Sequence, residues 1–410
     1  MKISKVDVFI IIAVIVIAAV FFYKAGYLTP PSKEGGEGIT TPQQNITEER
    51  IPNPPPSLIP ASRRTITAED EGCHYKSILV GREWWYFTAA FNDENSELKD
   101  WSIAVSFNHM AYGDLFGELK PDALLVTLYD TDGNAYGGLV NKKRGTLDAA
   151  TPGVDITFDH SWVQGRYPKW HVHVEDKDID EKHEIKMDLD YFAHSFPIWT
   201  YDTRLLNNSK SKLANYLFIG CTVTGTVTLD GRTYIVKGTG THEHAWSPVY
   251  VRRSFIDGWD WFHITLDNGW QMFISKFYPT PQSITSKVSK IQPFGTLLIT
   301  PDGETFTEFN IFDLQPEQRE KVFLFTKFPT RFTVSAKRTH NILMQRIDLK
   351  LSLDISTDNT YQQVWKFPTY VGLKVGTCKV KGEISWTDGE KDYNLDLNGR
   401  GTTWTTRALP

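Results

Sequence analysis

Three cysteines in 410 residues are too few to staple a chain of this size, so the fold must rest on a hydrophobic core. No basic run occurs and the formal net charge is -5, which removes the electrostatic footprint that nucleic-acid binding needs. No nucleic-acid partner is expected. Beyond the N-terminus, helical periodicity is nearly absent as well, which argues against a helical or alternating α/β body. What is abundant is rings, 13 Trp, 17 Tyr and 24 Phe, which favour strands and large apolar cavities.

Val8 to Phe22 are apolar without exception, and Val6, Tyr23, Tyr27 and Leu28 bring the stretch close to the ~20 residues of a spanning helix. Lys2 and Lys5 precede it, and the segment after Lys24 is acidic or neutral. The positive-inside rule then puts the N-terminus in the cytoplasm and the body on the extracytoplasmic side. A cleavable signal peptide is the rival reading, but no clear small-residue cleavage site follows. Residues 1–28 are therefore read as a single-pass membrane anchor. Residues 29–65 are rich in proline and read as an extended linker. Asn45-Ile46-Thr47 and Asn207-Asn208-Ser209 match the glycosylation sequon, a weak pattern.

From Ile66 onward, short alternating strands are punctuated by D-G and N-G turns, so the class is all-β. The strands repeat. Trp84 to Asp93 matches Trp259 to Asn268, and each is followed by a Trp-led strand, from Trp101 and from Trp270. Ala123 to Thr127 matches Thr296 to Thr300, and the run from Tyr167 matches the run from Phe328. The run from Cys221 matches that from Cys378, sharing Cys, Val, Gly and a D-G turn. A repeat of this length suits a closed antiparallel barrel, which leaves no exposed edge. Two tandem barrels are expected, 66–240 and 241–410, with Cys221 and Cys378 as equivalent buried residues.

The duplication acts as a control, because what both units share is scaffold and what one unit adds is a candidate for function. The rings Trp84, Trp85, Trp259 and Trp261 belong mostly to packing. Glu83 does not, since Gly258 takes its place in the second unit. Unit one continues as G-T-H-E-H-A-W from Gly240, whereas unit two ends R-G-T-T-W-T-T, keeping Gly and Trp but losing His242, Glu243 and His244. On a strand, His242 and His244 share one face and Glu243 takes the other. Inward histidines open a metal reading that Glu83, or the second pair His171 and His173, could complete; that pair aligns with the apolar Phe332 and Val334. H-x-H is a weak signal without a third ligand at fixed spacing, so no metal and no cofactor are expected. An inward Glu243 is instead a carboxylic acid among rings, favoured in its neutral form and able to donate a proton.

The runs Glu83 to Phe87, Gly240 to Trp246 and Gly258 to Gly269 resemble the hydroxyneurosporene synthase (carotenoid 1,2-hydratase) and AttH-like family, over roughly residues 66–410. The resemblance implies two lipocalin-like barrels. It also implies relatives that hydrate a terminal isoprenoid double bond, others known only as secreted hydrolases, and a more distant likeness to fungal Diels-Alder cyclases. Where the family has Asp-His-x-Trp, this chain has Glu243-His244-Ala245-Trp246, one methylene longer at the acid.

Hydration of an alkene through a carbocation needs a neutral acid, aromatic faces and one admitted water. Glu243 is the candidate acid and His244 its orienting partner, with His242 and Glu83 beside them. Trp84, Trp85, Tyr86, Trp246, Trp259 and Trp261 form the candidate ring wall, and His171 and His173 are further candidates for substrate contact. The alternative function is a non-catalytic lipocalin-like carrier of a lipid or isoprenoid.

Overall fold

A computed structural model describes residues 51–78, 81–110, 120–175, 179, 182–202, 214–248, 256–279, 293–309, 311–323, 326–342, 345–365, 371–387 and 390–408. The expected anchor, most of the linker and both sequons lie outside the described residues. No helix among those residues is long and apolar enough to cross a membrane.

The body is all-β, as the turn pattern demands, and consists of two curled antiparallel sheets. The first contains β1 (Gly81–Ala90), β2 (Ser102–His109), β3 (Asp122–Tyr129), β4 (Ala135–Lys142), β5 (Leu147–Ala149), β6 (Val154–Phe158), β7 (Ser161–Arg166), β8 (Lys169–Glu175), β9 (Ile185–Phe192), β10 (Ile198–Asp202), β11 (Ala214–Leu229) and β12 (Arg232–Pro248). The second contains β13 (Ile256–Leu266), β14 (Gln271–Pro279), β15 (Phe294–Thr300), β16 (Thr307–Phe309), β17 (Ile311–Phe323), β18 (Thr326–Ile342), β19 (Gln345–Trp365), β20 (Val371–Thr387) and β21 (Asp392–Ala408).

The strand orders repeat as the sequence does. The first sheet runs β4-β3-β2-β1-β12-β11-β9-β8-β7-β6-β5, with β10 also on β11, and the second runs β16-β15-β14-β13-β21-β20-β19-β18-β17. Both orders are open paths among the described residues, so the sheets are curled half-barrels where closed barrels were expected.

Register carries the duplication to single residues. Ala89 faces Gly240 across β1 and β12, and Ile264 faces Gly401 across β13 and β21. Cys221 and Cys378 face those two glycines and are therefore equivalent; both are buried free thiols. The glycines answer a close approach: a Cβ on Gly240 would lie 2.3 Å from the Thr88 carbonyl, and one on Gly401 would lie 2.0 Å from that of His263.

The hand-over expected at 240/241 falls inside β12, which runs unbroken in the first sheet to Pro248. One face of each curl fills its own core, with Trp85, Phe87, Phe107, Trp170 and Tyr191 in the first and Phe262, Phe309, Phe332 and Trp386 in the second. The opposite faces meet each other. Leu217 and Ile219 pack with Trp261, Phe273 and Phe277, while Tyr86, Ala104 and Leu125 pack with Leu373 and Val375.

The end of the expected linker is not a free stalk. Ser57 N–H donates to the Phe306 carbonyl, Ile59 is buried in the contact between the sheets, and Arg63 makes a two-point bond to Glu308 at 2.9 and 2.8 Å. Arg63 Nε also donates to the Trp199 carbonyl, so this segment ties the first sheet to the second. Proline kept it extended, and an extended chain offers its backbone to a sheet edge. Arg63→Ala is expected to lower unfolding stability by about 1–3 kcal/mol, the range for charge-assisted hydrogen bonds, as read from urea midpoints. Arg63→Lys, lacking the planar fork, should recover only part of that loss.

Candidate active site

The centre of the contact between the sheets is built by β1 and β12 on one side and by β13 and β21 on the other. Strand alternation decides what each residue sees. On β12, His242 and His244 enter the core of the first sheet, and Glu243 enters the space between the sheets. The same alternation on β1 sends Trp85 and Phe87 into the core and Trp84 and Tyr86 into the contact.

That contact holds a cleft of about 550 Å³, including the part open to solvent, whose lining includes Arg82, Glu83, Trp84, Tyr86, Asn108, Trp259, Trp261, Leu373 and Trp404 with Glu243 among them. Trp84 and Trp259 lie nearly parallel with centroids 6.3 Å apart, and Tyr86 meets Trp404 edge-on at 5.0 Å. The Arg82 guanidinium lies over both Trp84 and Trp259, at 5.4 and 5.2 Å, closing one side of the ring wall.

Glu243 is 2 % exposed. Asn215 Nδ2 donates to its Oε1 at 2.9 Å and Trp84 Nε1 donates to the same oxygen at 3.3 Å. Among the described residues, the other oxygen, Oε2, accepts no hydrogen bond. His263 Nε2 lies 3.2 Å from Oε2, within ion-pair distance but away from the hydrogen-bond direction, and neither nitrogen of that ring is otherwise hydrogen-bonded. With Oε1 committed to two donors, Oε2 is the oxygen on which a proton can sit and from which it can leave.

The surroundings of several other candidates differ from the roles expected of them. His244 does not orient Glu243. Its Nε2 lies 2.7 Å from Glu83 Oε1 and its Nδ1 lies 3.1 Å from the Tyr216 hydroxyl, all inside the first sheet. Glu83 also accepts the backbone N–H groups of His74 and Tyr75. Burial pushes Glu83 well above the usual carboxylate range despite those donors, and burial, reinforced by His74 and His242, holds His244 well below the usual imidazole range. His242 stacks on Phe87 at 4.3 Å, and burial pulls its pKa down to about 3.

Trp85 and Trp246 are likewise core rings, Trp85 donating its indole N–H to the Glu71 carbonyl and Trp246 stacking on His74 at 3.8 Å. His171 and His173 sit on the outer face of β8, pairing with Asp190 and Asp188 and stacking along Trp162. Their alignment with Phe332 and Val334 slips by one residue. Traced through the ladders from the paired glycines, the equivalents of Phe332 and Val334 are Trp170 and Val172. A slip of one reverses the face.

Three residues around Glu243 escaped the sequence reading. Register sets Trp404 opposite Trp261 and Glu243 opposite Tyr86, so the shared Trp of unit two stands in the place of Glu243, not of Trp246. His263 corresponds to Thr88, an asymmetry that the comparison of units could have exposed. Asn215 carries no signal of its own, since only the β11–β12 register brings it to Glu243.

No family model matches the chain, and no curated protein matches its sequence. Solved structures share its fold. A candidate AttH from Nitrosomonas europaea is 16 % identical with a TM-score of 0.52, over 83 % of this chain and 96 % of that one. Kievitone hydratase from Nectria haematococca is 8 % identical with a TM-score of 0.51, over 85 % and 93 %.

His242 makes a prediction about pH. Its folded pKa lies below the unfolded value near 6.5, so the stability it contributes is full above pH 6.5 and is lost as pH falls toward 3. The loss attributable to this residue is about 5 kcal/mol at most. His242→Phe should flatten part of the decline in urea midpoint between pH 6.5 and 4, with His244 supplying a further part in the same direction.

Proposed function

We propose that the protein is a hydratase of a long, apolar, isoprenoid-like alkene, bound between the two sheets with Glu243 as the acid. The observation that carries this reading is the Glu243 carboxyl itself, buried among rings with Oε1 fixed by Asn215 and Trp84 and Oε2 left open. Glu243 Oε2 gives its proton to one alkene carbon, and the other carbon becomes a carbocation facing Trp84, Tyr86, Trp259 and Trp404. Water then adds to that carbon, and the proton it loses returns to the Glu243 carboxylate, so the net change is the addition of one water. His263, beside Oε2, is suited to relay that returning proton. The fold is compatible with this chemistry, since a solved hydratase also uses it. The site takes a ligand from an apolar phase, which suits the proposed N-terminal anchor and a body on the extracytoplasmic side of the membrane.

The test separates chemistry from binding. The full chain in detergent is incubated with a lipid extract, and bound and altered species are identified by mass spectrometry. The wild type should release product heavier by the mass of one water. Glu243→Gln, which keeps the size and the Oε1 acceptor, should lose about 10²- to 10⁴-fold in rate while retaining the ligand. Ligand retained unaltered by the wild type would instead make the protein a carrier, and ligand lost along with activity in the variant would make Glu243 a packing residue.

A further inference from the structure

On the opposite face of β12 from Glu243, His74, Glu83 and His244 each offer one ligand atom, and these atoms lie within 4.8 Å of one another. We infer that they form a binding site for one divalent transition-metal ion of the zinc class. The inference does not depend on the proposed hydratase: the ligand atoms belong to His74, Glu83 and His244, and of these only Glu83 also lines the cleft.

Two imidazoles and one carboxylate are a donor set that suits zinc and leaves a fourth position open. The three side chains come from separate places, His74 from the segment after a one-turn helix (Ala68–Glu71), Glu83 from β1 and His244 from β12. Each is already held from behind. The backbone N–H groups of His74 and Tyr75 fix the Glu83 carboxyl, the Tyr216 hydroxyl stands at His244 Nδ1, and Trp246 stacks on His74. Support of this kind sets the orientation of metal ligands.

Unit two supplies the second observation. Its equivalents of Glu83, His244 and Trp246 are Gly258, Thr405 and Arg407, on strands with the same order and register. At the equivalent place unit two bonds Thr405 and Arg407 to the buried Asp260, so a set of two imidazoles and a carboxylate is particular to unit one.

The Glu83–His244 pair needs little rearrangement, whereas the ligand atom of His74 lies within 4.8 Å of theirs and moves further to reach a shared ion. His244 Nε2 and Glu83 Oε1 are 2.7 Å apart, sharing a proton. Two ligands of a tetrahedral zinc at its usual bond lengths stand about 3.3 Å apart, so the pair opens by roughly 0.6 Å. The shared proton is released to solvent, His244 binds through Nε2, and its Nδ1–H donates to the Tyr216 hydroxyl.

The test uses the full chain stripped with a chelator. Zn²⁺ is titrated by calorimetry, and Co²⁺ serves as the spectroscopic probe. One equivalent should bind, with proton release and the visible bands of tetrahedral cobalt. His74→Ala should weaken Zn²⁺ binding by at least about tenfold with an unchanged circular dichroism spectrum. His74→Cys retains a ligand and should add a sulfur-to-cobalt charge-transfer band. A double variant, His171→Ala with His173→Ala, should bind as the wild type does. The inference is overturned by a wild type that binds no stoichiometric ion, by a folded His74→Cys without the sulfur band, or by loss of binding only in the surface double variant.

Discussion

The alternation of side chains along β12 is the constraint on which this molecule turns. A strand in the middle of a sheet has two faces, and here both are dry: one fills the first core and the other meets the second sheet. Three consecutive ionisable residues on such a strand must therefore be solved separately. His242 is stacked among rings in neutral form, His244 is paired with Glu83, and Glu243 is held by donors from β1 and β11. Each answer draws a different part of the structure into position.

The three buried glutamates beside the first core show how far environment separates chemically identical groups. Glu71 accepts the Trp170 indole N–H and the Tyr167 backbone N–H, and burial still raises its pKa to about 7. Glu83 is fully enclosed, and burial lifts it well above the usual range. Glu243 alone keeps an oxygen without a donor, on the side where a ligand could enter. Neighbouring carboxyls are thereby assigned to scaffold, to a closed polar pair and to an open site.

Much of this was legible in the sequence, and the limits are informative. The all-β class, the duplication, the split between His242/His244 and Glu243, and the equivalence of Cys221 and Cys378 follow from period-two patterning and repeated strands. Curled sheets in place of closed barrels did not, because repeated strands report which segments correspond and not whether the first and last of them pair. Alignment by similar letters placed the shared Trp opposite Trp246 and set His171 and His173 inward. Ladder register, which similarity does not encode, moved the first to the place of Glu243 and turned the second pair out. Asn215 was invisible because its role depends on a neighbour reached only through pairing.

Register also says what the cleft is. In two identical units packed through their outer faces, the same side chain would stand at the centre twice. A pair of indoles such as Trp404 would fill the space, and a pair of carboxylates would repel across it. One of each does neither. Where unit two keeps a ring, unit one carries a glutamate smaller by most of that ring, so the substitution that brings in an acid also empties room beside it. The cavity and its carboxyl group are, in this geometry, two consequences of one difference between the units.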